Sequence, residues 1–412
     1  MHGTQKNKPH KPHKSHKQHK SHKPHKPHKQ YKQYKPKIKT KKGGEVIDVG
    51  SYGCVFYPAL KCKNRKTRTN GISKLSLKRH GMNEWNIYKK IVSLLRVIPN
   101  YKKYFLLDNF STCVPDKLTS QDKKNFESCD ALDEYNSENI NNNLNELMIL
   151  NMPHGGKNLD IMISNNLISY NDLNLLISNL IMNAILPMNK LDIYHFDLKA
   201  NNILYKNNNL KIIDFGTVEV RDKTNSIPKR LLKPLGVQYN CPLSTILFNP
   251  FILSRINYSL KKSKVSISNI INMFKGIYSS FIYNFSEGQE QLLEEILVEI
   301  YKIKKKKITN IKNTLRYLIY NYCAHAILKF IDIEKQEFDS QKYFDTVYSK
   351  NMDVIGVLSC YTHYILTPHP SYSNEFRSQI IDIIYELFFT SKYAITAIPV
   401  AQLMSKLNKI TL

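Results

Sequence analysis

The segment Tyr194–Gly216 carries the side chains of this sequence that are best suited to chemistry. Asp197 provides a carboxylate that could orient an attacking hydroxyl, and Lys199 could reach a phosphoryl group during its transfer. Asn202 and Asp214 provide oxygen ligands of the hard kind that Mg²⁺ prefers. Phosphoryl transfer needs positioning and charge rather than covalent chemistry. The segment therefore predicts a phosphoryl-transfer site with ATP and Mg²⁺ (or Mn²⁺) as cofactors.

Two short apolar runs explain how residues twelve positions apart could act together. Ile203–Tyr205 and Leu210–Ile213 read as strands, and the Asn-rich stretch between them favours a tight turn because Asn tolerates left-handed backbone conformations. A hairpin of this kind returns Asp214 to the neighbourhood of Asn202. The two candidate metal ligands are therefore expected to converge.

The same residues carry a resemblance to a known family. The segment reads H-x-D-L-K-x-x-N followed by D-F-G, which resembles the catalytic loop and metal-binding triplet of eukaryotic-type protein kinases. The resemblance implies an α+β, two-lobed protein-kinase-like fold, with a β-rich N-lobe, a helical C-lobe and ATP–Mg²⁺ between them. It also implies protein substrates, and Lys199 resembles the Ser/Thr-type signature. The residues concerned are His195, Asp197, Leu198, Lys199, Asn202, Asp214, Phe215 and Gly216.

A glycine-rich loop is the second element of the resemblance. Asp48 stands where the family has its first Gly, so the loop departs from the G-x-G-x-x-G-x-V pattern there. The wording from Gly50 to Cys62 resembles protein kinases of large nucleocytoplasmic DNA viruses. The residues expected to cover ATP are Val49, Gly50, Ser51, Tyr52, Gly53 and Val55.

Other ATP contacts follow from the same resemblance. Lys74 is the expected contact to the α- and β-phosphates, with Lys78 as the alternative. Glu84, ten positions later at the start of an amphipathic run, is its expected partner, or else an acidic residue favoured at a helix N-terminus. Because Pro153 has no N–H, the adenine contact should come from Met152 or His154.

The remaining chain is divided by composition and by the same resemblance. Phe105–Asp108 reads as a strand, and the polar residues 116–145 read as an inserted loop. Asp353 loosely resembles the family aspartate that binds the catalytic-loop backbone; an ordinary helix cap is the alternative. The expected domains are a disordered tail (1–42), an N-lobe (43–153) and a C-lobe (154–412) with a helical insertion at about 244–345.

Departures from the family pattern leave alternatives open. Phe196 stands where many kinases have an Arg that grips a phosphate on the activation segment, and Leu243 replaces the Glu of A-P-E. The first change predicts activity without such phosphorylation. A pseudokinase scaffold would also fit these departures, and a small-molecule kinase shares H-x-D-x-x-x-x-N.

The charge and the cysteine content of the sequence limit which binding partners and which cellular compartment are expected. The net charge is +28, and residues 1–42 hold 15 Lys and no acid in K-P-H-like triplets, with eight His. Such a tail should be disordered; it could be a solvated extension, a dock for nucleic acid or another polyanion, or a metal-binding His tract. Seven scattered Cys without a framework indicate a reducing compartment. No membrane span or secretory signal is predicted, so an intracellular protein is expected, in host cytoplasm or a virion if viral.

Overall fold

The computed structural model describes residues 44–50, 52–65, 71–221, 226–262 and 264–411. The predicted tail, residues 1–42, lies outside the described residues, and so does Ser51 of the glycine-rich loop. The predicted α+β fold class is confirmed. A sheet occupies the N-terminal part of the described chain, and helices dominate the rest.

The N-terminal part is built on a five-stranded antiparallel sheet with the strand order β1-β2-β3-β5-β4. Strands β1 and β2 form the hairpin of the glycine-rich loop, and β3 pairs along its whole length with β5. The strands are β1 (Glu45–Gly50), β2 (Gly53–Tyr57), β3 (Ile72–Leu77), β4 (Ser111–Cys113) and β5 (Leu147–Met152).

Helix α1 (Lys78–Leu95) begins on the residue after β3 ends, so strand and helix are joined directly. Its buried face carries Tyr88, Ile91 and Leu95 at helical spacing. Gly81 allows the close approach to the sheet, because a Cβ there would lie 2.9 Å from Ser76 Oγ and 3.1 Å from Met148 Sδ. The helix is thereby held against β3 and β5.

The strand predicted at Phe105–Asp108 is wrong. Phe105, which follows the short helix α2 (Tyr101–Tyr104), forms only an isolated bridge to Ile212, and β4 lies further on at Ser111–Cys113. Phe105 and Leu107 are buried in the large core that the helices share, and Leu106 between them is also buried. The apolar run is therefore explained by burial rather than by a sheet ladder, a distinction that a short run does not reveal.

The long connection between β4 and β5 covers one face of the sheet. It consists of loops and short 3₁₀ turns, in agreement with the inserted loop predicted for residues 116–145. Its side chains Phe126, Leu132 and Ile140 are buried against Phe56 and Leu75 of the sheet.

Two disulfides tie the sheet to its surroundings. Cys54 in β2 is bonded to Cys129 in the long connection, and Cys62 to Cys113 in β4. The prediction found no disulfide framework among the seven cysteines, but these four are paired. Pairs separated by 75 and 51 residues meet only in the folded chain. Their spacing therefore does not support a reducing compartment.

The helical part begins with a helix that leads into the catalytic loop. Helix α4 continues through a π-helical turn (Ile181–Ile185) into α5, so three joined helical pieces precede the catalytic loop. The small strands then form two sheets, β6-β8-β9 and β7-β10. The elements are β6 (Lys157–Asn158), α3 (Leu159–Ser164), α4 (Tyr170–Leu180), α5 (Leu186–Lys190), β7 (Ile193–Tyr194), β8 (Ile203–Lys206), β9 (Asn209–Ile212) and β10 (Glu219–Val220).

Helices fill the rest of the described chain and share one large core with α4 and α5. No helix of the described residues is long and apolar enough to cross a membrane. The elements are α6 (Pro250–Leu260), α7 (Ile267–Asn284), α8 (Glu290–Ile303), α9 (Ile311–Lys329), β11 (Ile331–Asp332), β12 (Glu337–Phe338), α10 (Ser340–Tyr343), α11 (Ser349–Leu358), α12 (His363–Leu366), α13 (Asn374–Phe389), α14 (Lys392–Ile395) and α15 (Val400–Asn408). A π-helical turn (Phe344–Tyr348) joins α10 to α11.

Candidate active site

The backbone of the catalytic loop is held by hydrogen bonds to Asp353 of helix α11. Asp353 Oδ2 accepts a hydrogen bond from His195 N at 3.0 Å, and its Oδ1 accepts one from Phe196 N at 3.1 Å. Asp353 lies inside the helix and not at its start, so the helix-cap alternative is wrong. Complete burial raises the pKa of the Asp353 carboxyl to about 7, although the two backbone donors oppose the shift.

A close approach of α11 accompanies these bonds. A Cβ on Gly356 would lie 2.8 Å from Leu198 O and 2.9 Å from Leu198 Cβ. Only a residue without a side chain lets the helix pass this near to the loop. Gly356 is thus packed directly against the catalytic loop.

His195 and Phe196 are buried supports of the loop rather than reacting groups. His195 Nε2 lies 3.0 Å from Ile213 O, and Thr217 Oγ1 donates to His195 O at 2.8 Å. Burial lowers the pKa of His195 and keeps the ring neutral. Phe196 adopts φ +62°, a conformation in which side chains are uncommon, and its ring is buried near Tyr194. The hydrogen bond to Asp353 helps to hold this conformation.

Three donors surround the carboxylate of Asp197. Lys199 Nζ lies 3.0 Å from both Oδ atoms, and Asn202 Nδ2 lies 3.0 Å from Oδ2 and 2.7 Å from the backbone O of Asp197. Asn240 Nδ2 donates to Oδ1 at 3.0 Å. The side chain is still 21 % exposed, so a substrate hydroxyl can reach it. The arrangement fixes the carboxylate and leaves it accessible.

Asn240 is the site residue that the sequence did not reveal. Its amide also donates to Leu198 O at 3.1 Å, so one buried side chain holds both the carboxylate and the backbone of the loop. It lies 43 positions after Asp197, beside the Cys-Pro that stands in place of A-P. Such a contact has no periodic signal. The only indication was its position at the end of the activation segment.

The predicted hairpin brings Asp214 back to the catalytic loop. Strands β8 and β9 pair through Asn207 and Asn208, both at positive φ as the turn requires, and Ile213 N donates to Asn202 O at 3.0 Å. Asp214 has φ +59° and accepts a hydrogen bond from Gly216 N at 3.3 Å. Its carboxylate is exposed, whereas the ring of Phe215 is buried near Phe105 and His195.

The donor set of Asn202 and Asp214 fits Mg²⁺. The Asn202 amide nitrogen is used by Asp197, which leaves its oxygen without a donor among the described residues. The Asp214 carboxylate faces solvent. The described residues contain no group of three or more His, Cys, Asp or Glu that could hold a metal by itself. Two hard oxygen ligands suit an ion whose other ligands come from phosphate and water.

Lys74 and Glu84 meet, as the spacing of β3 and α1 allows. Lys74 Nζ lies 2.8 Å from Glu84 Oε2, and both side chains are largely buried. Burial lowers the pKa of Lys74, but Glu84, Asp214 and Asp48 together outweigh it and raise the pKa above its usual value. The negative charge of Asp214 contributes to this rise, so the ion pair and the candidate metal ligand interact electrostatically. The alternative Lys78 is exposed at the start of α1 and forms no ion pair with a described residue.

The described residues of the glycine-rich loop form the turn between β1 and β2. Gly50 pairs with Gly53, Val55 pairs with Lys74, and the exposed ring of Tyr52 stacks on His80 at 5.1 Å. A Cβ on Gly53 would lie 2.4 Å from Leu75 O, so this position requires glycine. Val49 lies beside Gly50 on the exposed end of β1. The loop therefore runs alongside the strand that carries Lys74.

Asp48 introduces a carboxylate into this region. Its Oδ1 accepts a hydrogen bond from Val49 N at 2.9 Å. Although Asp48 is exposed by surface area, the protein atoms around its carboxyl desolvate it and raise its pKa, and Asp214 adds to the rise. Met152, the predicted adenine contact, ends β5 and pairs with Ile72. Neither Asp48 nor Met152 makes a hydrogen bond to the catalytic loop among the described contacts.

The comparison with known families agrees with this geometry. The protein kinase domain family matches residues 121–235, a stretch that includes Asp197, Asn202 and Asp214. Over this stretch the chain is similar to protein kinase domains. The match does not reach the glycine-rich loop or Lys74. No protein of curated function matches the sequence.

Proposed function

We propose that this protein-kinase-like chain is a protein kinase that transfers the γ-phosphoryl group of ATP to Ser or Thr hydroxyls of protein substrates. The observation that carries the proposal is the Asp197 carboxylate, held by Lys199, Asn202 and Asn240 yet open to solvent. The buried Lys74–Glu84 pair lies within electrostatic reach of Asp214, which adds a second set of suitable groups.

Each residue has a distinct role in the proposed reaction. Asp197 accepts the hydrogen bond of the substrate hydroxyl and orients it. It takes the hydroxyl proton as the new O–P bond forms, while the bond between the γ-phosphorus and the bridging oxygen breaks and ADP leaves. Lys199 balances charge on the phosphoryl oxygens, and Lys74 holds the remaining phosphates. Asn202 and Asp214 would hold Mg²⁺, which neutralises phosphate charge when bound. Glu84 keeps the Lys74 amine in place.

Cover for the nucleotide comes from the N-terminal sheet. The β1–β2 turn, including Val49, Gly50, Ser51, Tyr52, Gly53 and Val55, lies over the phosphates in this proposal, and Met152 contacts adenine. Residues 43–153 act as the N-lobe and residues 154–412 as the C-lobe, with the helices of about 244–345 as an insertion.

Two rival functions predict different products. A pseudokinase would bind nucleotide or partners without transfer, in line with Asp48, Phe196 and Leu243. A small-molecule kinase would phosphorylate a metabolite and leave proteins unlabelled. The complete set of phosphate- and metal-binding candidates argues against the first, and Lys199 with D-F-G argues against the second.

The test is to incubate the full chain with labelled ATP, Mg²⁺ and a mixed protein extract, followed by analysis of the labelled amino acids. We expect label on Ser and Thr, and near-complete loss of label with Asp197→Asn, by more than about 100-fold. Asp214→Ala should abolish the Mg²⁺-dependent part of the thermal stabilisation by ATP. Nucleotide binding without any labelled protein would favour the pseudokinase, and label only on small molecules would favour the metabolite kinase.

The tail and the origin of the chain complete the proposal. The 15 Lys and eight His of residues 1–42 would bind nucleic acid or another polyanion by counterion release. The wording of Gly50–Cys62 supports a viral kinase that acts in host cytoplasm or the virion.

A further inference from the structure

The end of the activation segment packs against the turn between helices α7 and α8. We call residues 236–240 the substrate loop and residues 285–289 the insertion turn. Val237 forms a parallel bridge with Gly288, and Gln289 N donates to Val237 O at 2.7 Å. The side chain of Gln289 accepts a hydrogen bond from Tyr239 N at 3.3 Å. The substrate loop is thus held by backbone as well as side-chain bonds.

The contact depends on glycine on both sides. A Cβ on Gly236 would lie 2.3 Å from Gly288 N, and a Cβ on Gly288 would lie 2.3 Å from Val237 O. Gly288 also has φ +70°, a conformation that favours glycine. Two glycines at one crossing allow the two backbones to touch directly.

One buried carboxylate anchors the insertion turn to three helices. Glu290, at the start of α8 and 1 % exposed, accepts hydrogen bonds from Arg316 Nη2 in α9 at 3.0 Å and from the Tyr278 hydroxyl in α7 at 2.8 Å. Arg316 Nε also donates to both carboxylate oxygens, at 3.1 and 3.3 Å. A buried carboxylate is costly unless it is paired in this way, so the anchor is a built feature.

The opposite side of the substrate loop reaches the catalytic carboxylate. Asn240 follows Tyr239 directly and donates to Asp197 Oδ1 and Leu198 O. A continuous series of contacts therefore runs from Glu290 through Gln289 and Tyr239 to Asn240 and Asp197. The start of the activation segment is anchored separately, by Arg221 to Asp345 at 2.7 Å and by the pairing of β10 with β7.

We propose that the insertion turn positions the substrate loop for catalysis, in place of a phosphate on the activation segment. Gln289 and Glu290 are then positioning residues that act through Asn240. Phe196 is buried and cannot bind a phosphate. This agrees with an activation segment that is positioned by its contact with the turn between α7 and α8. The inference rests on the proposed kinase function.

The first test replaces Gln289 with Ala and uses Gln291→Ala as its control, because both Gln side chains are exposed and Gln291 makes no contact with the substrate loop among the described residues. We expect Gln289→Ala to reduce kcat/KM for a peptide by about three- to tenfold, as for the loss of one hydrogen bond. The KM for ATP and the melting temperature should stay unchanged. Equal activity of the two variants would overturn the proposal.

A double-mutant cycle separates positioning from general stability. If Gln289 acts through Asn240, Gln289→Ala should cause no further loss of turnover in an Asn240→Ala background. Independent, additive losses would overturn the proposal. Arg316→Lys should retain more peptide turnover than Arg316→Met, because only the former keeps a cation on Glu290.

Two readouts distinguish a failure of this inference from a failure of the proposed function. Hydrogen exchange at the Tyr239 amide needs no catalysis and should speed up by at least about tenfold in Gln289→Ala if the amide loses its partner. Unchanged exchange would overturn the positioning role even in an inactive protein. If the parent chain is active, phosphatase treatment should leave turnover within about twofold, because no phosphate organises the segment. A large loss would assign that task to a phosphate.

Discussion

Lys74 is a cation that interacts with the carboxylates of Glu84, Asp214 and Asp48. It pairs with Glu84 at 2.8 Å, and Asp214 and Asp48 lie near enough to affect its pKa. Burial favours the neutral amine, but the carboxylates outweigh it, so Lys74 stays protonated at neutral pH. A charged amine in a largely buried position is suited to binding phosphate oxygens.

Lys74→Met and Lys78→Met form a matched pair for testing this role. Turnover should fall by about 100-fold in the first, because a buried phosphate contact is lost and Glu84 is left unpaired. The second should stay within about twofold, since Lys78 is exposed and has no ion pair with a described residue. Steady-state kinetics with a protein substrate measures both, and the reverse order would transfer the phosphate contact to Lys78.

Asp48 places a negative charge where the family has glycine. Asp48→Asn should lower the KM for ATP by about two- to fivefold, because a carboxylate near Lys74 and Asp214 repels the triphosphate. Because its pKa is raised, the native side chain gains a proton at a higher pH than an ordinary aspartate, so the difference in KM between the two proteins should narrow as the pH falls. Asp133→Asn, at an exposed position, is the control. A higher KM in Asp48→Asn would instead make this carboxylate a contributor to nucleotide binding.

At the scale of elements, the sequence predicted what local chemistry determines. The β8–β9 hairpin was readable because its apolar runs are broken by Asn residues that accept positive φ. The pairing of Lys74 with Glu84 was expected from the family resemblance, and the direct junction of β3 and α1 lets it form across only ten positions. Contacts between distant segments, such as Asn240 with Asp197 or Cys54 with Cys129, have no local signature and required the folded chain.

Helix α11 makes the catalytic loop sensitive to pH through Asp353. The pKa of an Asp in an unfolded chain is about 3.9, whereas burial raises the pKa of Asp353 in the folded chain to about 7. Between these values the folded chain holds a proton that the unfolded chain has lost. The stabilisation is therefore complete below the unfolded pKa and is lost as pH rises through about 7.

The expected result is a falling free energy of unfolding between about pH 4.5 and 7.5, with Asp353 contributing up to about 1.4 kcal/mol per pH unit. Asp353→Asn should lose this component of the slope, whatever its absolute stability. Denaturant unfolding at several pH values measures both proteins. Parallel curves would show that Asp353 stays ionised in the folded state.

The disulfide between β2 and the long connection should stabilise the N-terminal sheet. Cys54→Ser should reduce the free energy of unfolding by about 2–4 kcal/mol, because the bond closes a separation of 75 residues. The oxidised protein should expose three thiols when denatured, from Cys241, Cys323 and Cys360. Reductant should destabilise the parent more than the variant, and a count of seven thiols without reductant would contradict the pairing.

At the scale of the whole molecule, we expect residues 1–42 and the rest of the chain to have separable functions. Deleting residues 1–42 should leave turnover of a short neutral peptide unchanged and remove salt-sensitive retention on DNA, because the tail holds 15 Lys and no acid. Acidification should strengthen retention of the full chain, since its eight His gain charge below about pH 6.5. Retention is measured from about 50 to about 500 mM salt at acidic and alkaline pH. If the truncated chain shows the same dependence of DNA retention on salt, the tail is only a solvated extension.

The direct passage from β3 into α1 also limits which compounds can inhibit this protein. Leu77 pairs with Leu147 at the end of the sheet, and α1 begins at the next residue. The helix therefore cannot swing away without breaking the end of the strand pairing. Inhibitors that compete with the nucleotide need no such movement. Inhibitors that need a displaced helix would have to break this pairing, so screening against this chain should favour the nucleotide-competitive class.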